Sequence, residues 1–105
     1  MKGEQIMHYE EIETEGILQI NIEGRIDAST SDSFQTLVLS SFTKHNSVIL
    51  NLENVSFMSS SGLRALILGD KTAQSKGGQL IIINVPPQVL DVFRVTGFDS
   101  ILDIR

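Results

Sequence analysis

The sequence predicts a single α/β domain: a mixed β-sheet with an antiparallel N-terminal hairpin and a parallel centre, with helices packed against it. Three observations support this. Strand-like and helix-like stretches alternate, the links between them are short, and two apolar runs, 48–52 and 80–83, suit strands covered on both faces. Strands that alternate with helices through short links require right-handed crossovers and parallel pairing in the centre of the sheet. The 105 residues, 41% of them hydrophobic, form one core, so we expect one domain over 1–105.

The first two strands are predicted at Met7–Ile12 and Ile17–Ile22. The link Glu13-Thr14-Glu15-Gly16 is short and contains glycine, which favours an antiparallel hairpin. Gly24 follows the second strand and is predicted to let the chain turn.

A helix is predicted to follow the segment Asp27-Ala28-Ser29-Thr30. Ser29 and Asp32 have the spacing of a capping box, and Thr30 is an equally good cap. The helix is expected to end near His45-Asn46. Its core-facing residues recur at helical spacing and are Phe34, Leu37, Val38 and Phe42.

The next strand begins at Ser47 and is followed by a short turn, the serines Ser59-Ser60-Ser61 and a second helix. This helix should end before Gly77-Gly78, which can supply a left-handed C-cap. Four of its residues are predicted to share one face, and these are Leu63, Leu66, Ile67 and Ala73.

The last part of the chain predicts a buried strand at Gln79–Asn84 and a third helix that begins at Pro86-Pro87 and ends at Gly97. A short apolar element over Phe98–Ile104 completes the fold, and its type is left open. The third helix places three residues toward the core, and these are Val89, Leu90 and Phe93.

The composition argues against several classes of function. A net charge of −5 with no basic stripe argues against nucleic-acid binding. The absence of cysteine removes disulfides and thiolate metal sites and suits a reducing cytoplasm. The first residues, MKGEQIMHYEEIE, contain no long apolar run, so we expect no signal peptide, no membrane insertion and a cytoplasmic location.

Catalytic motifs are missing from the sequence. The two histidines, His8 and His45, stand in polar surroundings, and the serine junction lacks the G-x-S-x-G elbow of hydrolases. Nucleotide-binding glycine motifs and metal-ligand spacings are also missing. We therefore expect a protein that is not an enzyme and carries no cofactor or metal.

The junction Ser59-Ser60-Ser61-Gly62 has two interpretations. A serine there can cap the helix, because its hydroxyl accepts from a backbone N–H that has no intrahelical partner. The free N–H groups and the helix dipole would also accommodate a phosphate on one of these serines. Capping is the commoner role, and the junction alone leaves both interpretations open.

Several motifs together resemble the STAS domain of bacterial anti-sigma factor antagonists. They are Gly24-x-x-Asp27, NLENVSFMSSSGL, Gly77-Gly78 and FRVTGF, in the element order given above. The resemblance extends from about residue 16 to the end of the chain, and its most specific part is Phe57–Leu63. It implies a STAS-like sheet and a binding switch with no catalysis of its own.

In that family the unphosphorylated antagonist binds an anti-sigma factor and thereby frees the sigma factor. The anti-sigma factor is typically a serine-protein kinase with an ATPase-like fold, and a serine phosphatase reverses the modification. The resemblance implies that Ser60 is the phosphoacceptor, that Gly62 is the motif glycine and that Asp27 lies at the partner-facing end of the sheet.

This chain has Ser59 where the family has aspartate, which leaves two hydroxyls side by side and makes Ser59 the alternative acceptor. Arg64 is four residues after Ser60, on the same side of the helix, so it could pair with the phosphate, contact a partner or remain solvated. The residues expected to face the partner are Asp27, Ser59, Ser61, Gly62, Leu63 and Arg64.

Two alternative functions remain, the first of them also implied by the STAS resemblance. One is a STAS subunit that docks on the cytoplasmic ATPase of a lipid ABC transporter, in which the helix end is a constitutive contact without phosphate. The other is a small serine hydrolase, from which we expect no turnover because no general base accompanies the serines.

Overall fold

The structure, a computed structural model, describes residues 7–105 and contains a five-stranded sheet. The first two strands are antiparallel and the others follow in parallel, in the spatial order β1-β2-β3-β4-β5. The predicted mixed sheet is therefore confirmed. The strands are β1 His8–Thr14, β2 Ile17–Ile26, β3 Ser47–Met58, β4 Gln79–Ile83 and β5 Asp103–Ile104. The first six residues, part of the segment expected to hold no signal peptide, lie outside the described residues.

Each crossover between the parallel strands carries a helix. The helices are α1 Ser31–Ser41, α2 Ser60–Ser75 and α3 Pro87–Thr96, and a short 3₁₀ turn covers Phe98–Ser100. The final element, whose type the sequence did not decide, is thus a 3₁₀ turn followed by β5. This strand pairs with β4 at the sheet edge.

The core lies between one face of the sheet and the helices. Alternate residues of β2 and β3 are buried there, as period-two alternation requires, and they are Leu18, Ile20, Ile22, Val48, Leu50 and Leu52. On the other face, Ile49 and Asn51 stay partly exposed, so β3 is fully buried on one face only. The expectation that both of its faces are covered was wrong.

The two central strands are longer than the sequence suggests. No turn separates the apolar run of β3 from the serines, and β2 continues through Gly24 to Ile26. Gly24 has a φ of 113° and stands at a shift in the β2–β3 register. It therefore makes an irregularity in a continuing strand instead of a turn, because pairing with β3 resumes at Arg25.

The ends of α1 also differ from expectation. Thr30 is the N-cap residue, but its side chain makes no capping hydrogen bond, and the Ser29 hydroxyl donates to Asp27 Oδ1, so the Ser29–Asp32 capping box does not form. The helix ends at Ser41, before His45-Asn46, and Lys76 Nζ donates to the carbonyl of Phe42 just after it.

The other helix boundaries agree with the predictions. Gly77 has a φ of 71°, its N–H donates to the Gln74 carbonyl (3.1 Å), and the Gly78 N–H donates to the Ala73 carbonyl (2.8 Å). This pattern is a Schellman cap of α2. Pro86 precedes α3, and Gly97, with a φ of 80°, ends it.

The two adjacent glycines after α2 are predicted to resist substitution for different reasons. Gly77→Ala should lower the free energy of unfolding by about 1 kcal/mol, because alanine is strained at positive φ. Gly78→Ala should cost about 2 to 3 kcal/mol, because the new Cβ would lie 1.8 Å from the Asn46 carbonyl oxygen. Urea denaturation measures both. Gly77→Asn should cost less than Gly77→Ala, and equal costs for the two alanine variants would contradict this account.

Candidate functional site

The candidate site lies where the carboxyl ends of β2 and β3 meet the start of α2. Ile26 is opposite Met58 in the sheet, and the Ser59 N–H donates to the Ile26 carbonyl (2.8 Å). This contact holds the three serines beside the loop that begins at Asp27. We call this group of residues, 25–30 together with 57–61, the serine edge.

Ser59 caps α2, as one of the two interpretations of the junction proposed. Its backbone is extended, and its Oγ accepts from the Gly62 N–H (3.3 Å). Ser59 Oγ also lies 2.8 Å from Ser61 Oγ, within hydrogen-bond distance. Both of these hydroxyls are therefore engaged in holding the first turn of the helix.

Ser60 is the first residue of α2, and its environment differs from that of its neighbours. Its side chain is exposed and forms no hydrogen bond to any residue in 7–105. The first turn of α2 contains no acidic residue, so no carboxylate of that turn competes for the N–H groups and dipole of the helix at this position. An anionic group on Ser60 would meet a favourable field from the helix.

Gly62 and Leu63 shape the site from beneath. A Cβ on Gly62 would lie 2.5 Å from Met58 Sδ and 2.7 Å from Ile26 Cγ2, so glycine permits α2 to start close against the two strands. Leu63 is 1% exposed and belongs to the core. Of the residues expected to face a partner, these two offer no side-chain surface in this structure.

Asp27 organises the loop between β2 and α1. Its Oδ1 accepts from the backbone N–H (3.0 Å) and the hydroxyl (2.7 Å) of Ser29, and its own N–H donates to Thr30 Oγ1 (3.0 Å). Thr30 Oγ1 in turn donates to the Arg25 carbonyl (2.7 Å). The bonds from Ser29, helped by the Arg25 guanidinium, hold the pKa of Asp27 below its ordinary value of 3.8.

Arg25 and Phe57 belong to the same edge, and the sequence reasoning did not assign them to the site. They are partners in the β2–β3 register, the Arg25 guanidinium lies 4.5 Å from the centroid of the Phe57 ring, and Arg25 Nε lies 3.4 Å from Asp27 Oδ2. Phe57 is 39% exposed, although aromatic residues tend to be buried. No local pattern in the sequence marks this pair, because the shifted register of β2 and β3 places Arg25 beside Phe57.

Arg64 is exposed on α2, one turn after Ser60, and within residues 7–105 it has no ion-pair partner. His45 is at the other end of β3, where its Nε2 lies 3.4 Å from Glu13 Oε1. In the part of the chain that the structure describes, neither histidine is hydrogen-bonded to Ser59, Ser60 or Ser61. The arrangement does not provide the serine with a general base.

Two further features of residues 7–105 bear on function. None of their helices is both long and apolar enough to cross a bilayer. The same residues contain no group of three or more histidine, cysteine or carboxylate side chains placed to hold a metal ion.

Comparisons with known proteins agree with this fold. The family model of the STAS domain matches residues 9–105. The anti-sigma F factor antagonist of Paenibacillus polymyxa is 29% identical over 91 residues, which cover 85% of this chain and 78% of that protein. The anti-sigma-B factor antagonist of Bacillus subtilis (strain 168) is 27% identical over 92 residues, which cover 88% of this chain and 84% of that protein.

The anti-sigma factor antagonist SpoIIAA has the same fold. Its unphosphorylated form superposes with a TM-score of 0.77 at 22% identity, over 95% of this chain and 88% of that one. The phosphorylated form of SpoIIAA, a Bacillus cell fate determinant, superposes with a TM-score of 0.71 at 20% identity, over 93% of this chain and 91% of that one.

The protein is therefore a STAS domain: the chain belongs to that family over nearly its whole length. The family resemblance inferred from the motifs is confirmed. The roles of individual residues at the serine edge are not addressed by this membership and remain predictions.

Because Ser59 caps α2 and Ser60 is exposed, their alanine variants are predicted to differ in stability. Ser59→Ala should lower the free energy of unfolding by about 1 kcal/mol, because it removes the acceptor for the Gly62 N–H. Ser60→Ala should change it by less than about 0.5 kcal/mol, because the exposed Ser60 side chain makes no bond that would be lost. Urea denaturation of the two variants checks this. Equal losses would mean that the cap is assigned to the wrong serine.

The lowered pKa of Asp27 predicts a pH dependence. A carboxyl whose pKa is lower in the folded state stabilises the fold above its ordinary pKa, and this contribution is lost as the pH falls through the lowered value. The wild type should therefore be more stable than Asp27→Asn near neutral pH, and the difference should shrink below the ordinary value of 3.8. Urea denaturation over a pH series measures it. Asp99→Asn controls for the loss of one charge, and a pH-independent difference for Asp27→Asn would contradict the assignment.

Proposed function

We propose that this protein is a cytoplasmic anti-sigma factor antagonist that works as a phosphorylation-controlled partner switch. The unphosphorylated serine edge binds an anti-sigma factor, the sigma factor held by that protein is released, and a phosphate on Ser60 blocks the binding. The observation that carries this proposal is the exposed hydroxyl of Ser60 at the start of α2, which forms no hydrogen bond within residues 7–105. The protein acts by binding and is not an enzyme.

The choice of acceptor follows from the hydrogen bonds of the junction. Ser59 would have to give up its cap, and Ser61 its bond to Ser59, before either could be modified. Modification of Ser60 would break no hydrogen bond of its side chain within residues 7–105, so we favour Ser60 over Ser59 as the acceptor. The relatives support the switch, because two are named antagonists of anti-sigma factors and SpoIIAA occurs in unphosphorylated and phosphorylated forms.

The phosphate is expected to act on the partner and to leave the fold intact. It adds about 1.5 to 2 negative charges at pH 7, and a helix N-terminus tolerates or favours them. In a complex the same group would be desolvated or would meet a poorly matched surface. A penalty of about 3 kcal/mol weakens binding by more than a hundredfold, which is enough for a switch.

The contact surface that we assign to the partner combines charge, an aromatic ring and small polar groups. It contains Asp27, the Arg25–Phe57 stack, Ser59 and Ser61, and Arg64 at the next turn. Stacked arginine and aromatic side chains are frequent binding hot spots. A pairing of Arg64 with the phosphate on Ser60 remains a prediction.

The proposed partners are an anti-sigma factor of the serine-kinase type, with an ATPase-like fold, and a serine phosphatase. The kinase would transfer the γ-phosphoryl group of ATP to Ser60 Oγ, and the phosphatase would hydrolyse the resulting ester. The alternative, a subunit on the ATPase of a lipid transporter, is not favoured, because the relatives described above are named anti-sigma factor antagonists.

The test is intact-mass spectrometry with site mapping on the protein recovered from its native cells. We expect one phosphate on Ser60 under at least one growth condition, and none in Ser60→Ala. Ser59→Ala is the matched control, and it should retain the modification because it leaves Ser60 in place.

Binding is then measured by calorimetry with a purified kinase-type anti-sigma factor from the same organism. The unmodified protein should bind at least about a hundredfold more tightly than the protein phosphorylated on Ser60. Absence of phosphate under every condition, or equal affinity of the two forms, would overturn the switch. Capture of an ABC-transporter ATPase instead would support the constitutive role.

A further inference from the structure

A shallow groove of about 290 Å³ runs along the outer face of α2 beside the serine edge. Its floor is apolar, with the half-buried Ile67 and Phe98 and with Leu68, which is 40% exposed. Arg64, Lys71 and Gln35 complete the lining. We call it the α2 groove.

The spacing of the α2 residues shows that the groove follows one helix face. Arg64, Ile67, Leu68 and Lys71 are at positions i, i+3, i+4 and i+7, so they form a stripe over two turns. The two cations are seven residues apart, or about 10 Å along the helix axis, with the apolar residues between them. Beside its core face, α2 thus has a stripe in which the half-buried Ile67 and the exposed Leu68 lie between two positive charges.

These two cations have no acceptor within the chain as described. Arg25, Arg94 and Arg105 form ion pairs, and Lys76 donates to the Phe42 carbonyl. Among residues 7–105, Arg64 and Lys71 form no such bond, and no carboxylate lines the groove. In a chain with a net charge of −5, the lining of the groove carries two positive side chains and no negative one.

We propose that the α2 groove docks an amphipathic helix of the protein partner, with an apolar stripe flanked by acidic residues two turns apart. Such a helix would place its apolar side chains against Ile67 and Leu68 and its carboxylates beside Arg64 and Lys71. This inference deepens the proposed function and rests on it for the existence of a partner. The groove begins one turn after Ser60, so a single partner can cover both surfaces.

Charge selects this occupant over two others. Anionic membranes are usually recognised by clusters of about four to eight basic residues, and the groove has two. A nucleic acid would be repelled by the net charge of −5. Two cations separated by an apolar floor match a short acidic helix better than either extended polyanion.

The test uses two synthetic helical peptides that share a leucine stripe. One carries glutamates on both flanks, two turns apart, and the other carries lysines at the same positions. Titration into ¹⁵N-labelled protein should give amide shifts confined to Gln35, the stripe of α2 and Phe98 for the glutamate peptide, and much weaker shifts for the lysine peptide.

Three variants test whether the charge and the apolar surface of the groove determine peptide binding. Lys71→Glu should weaken the glutamate peptide about tenfold and reverse the preference between the two peptides. Leu68→Ser should weaken both, because it removes the exposed apolar contact. Lys44→Glu makes the same charge change on an exposed lysine outside the groove and should have no effect. All three substituted residues are exposed, and the amide spectra report whether each variant is folded.

Three outcomes would overturn the proposal: equal binding of the two peptides, shifts located outside the groove, or stronger binding to phosphatidylserine vesicles than to the glutamate peptide. None of these measurements involves Ser60. The groove can therefore fail while Ser60 is found phosphorylated, and it can succeed while no phosphate is found, so the two proposals are separately testable.

Discussion

The serine edge depends on one contact, the hydrogen bond from the Ser59 N–H to the Ile26 carbonyl. It joins the end of β2 to the start of α2, and Gly62 leaves the space there that the side chains of Ile26 and Met58 occupy. The positions of the other residues of the serine edge follow from this packing. The Asp27 loop is attached directly to Ile26, and the Ser59 cap sets the first turn of the helix.

The three adjacent serines have different environments in this arrangement. The Ser59 hydroxyl caps the helix backbone and the Ser61 hydroxyl lies within hydrogen-bond distance of it, whereas Ser60 is left exposed at the positive end of the dipole. A modification at Ser60 can then change the surface without disturbing the fold. The nearby Arg25–Phe57 stack and the exposed stripe of α2 extend this surface on both sides.

The sequence predicted the elements well where local chemistry decides them. Gly77, Gly97 and Pro86-Pro87 ended or began helices as expected, because positive φ and a fixed φ are properties of those residues. It failed at Gly24 and at the ends of β2 and β3. There the conformation depends on pairing between strands, and a glycine that permits a turn also permits a register shift within a strand.

By itself, the sequence determined the α/β class, the element order, the family and the serine junction, because periodicity, turn residues and motif spacing are encoded along the chain. Tertiary structure decided which serine hydroxyl lacks a hydrogen-bond partner among the described residues, that Gly62 and Leu63 lie beneath the surface, and that Arg25 meets Phe57. These properties depend on register and on contacts between residues distant in sequence. No local pattern specifies them.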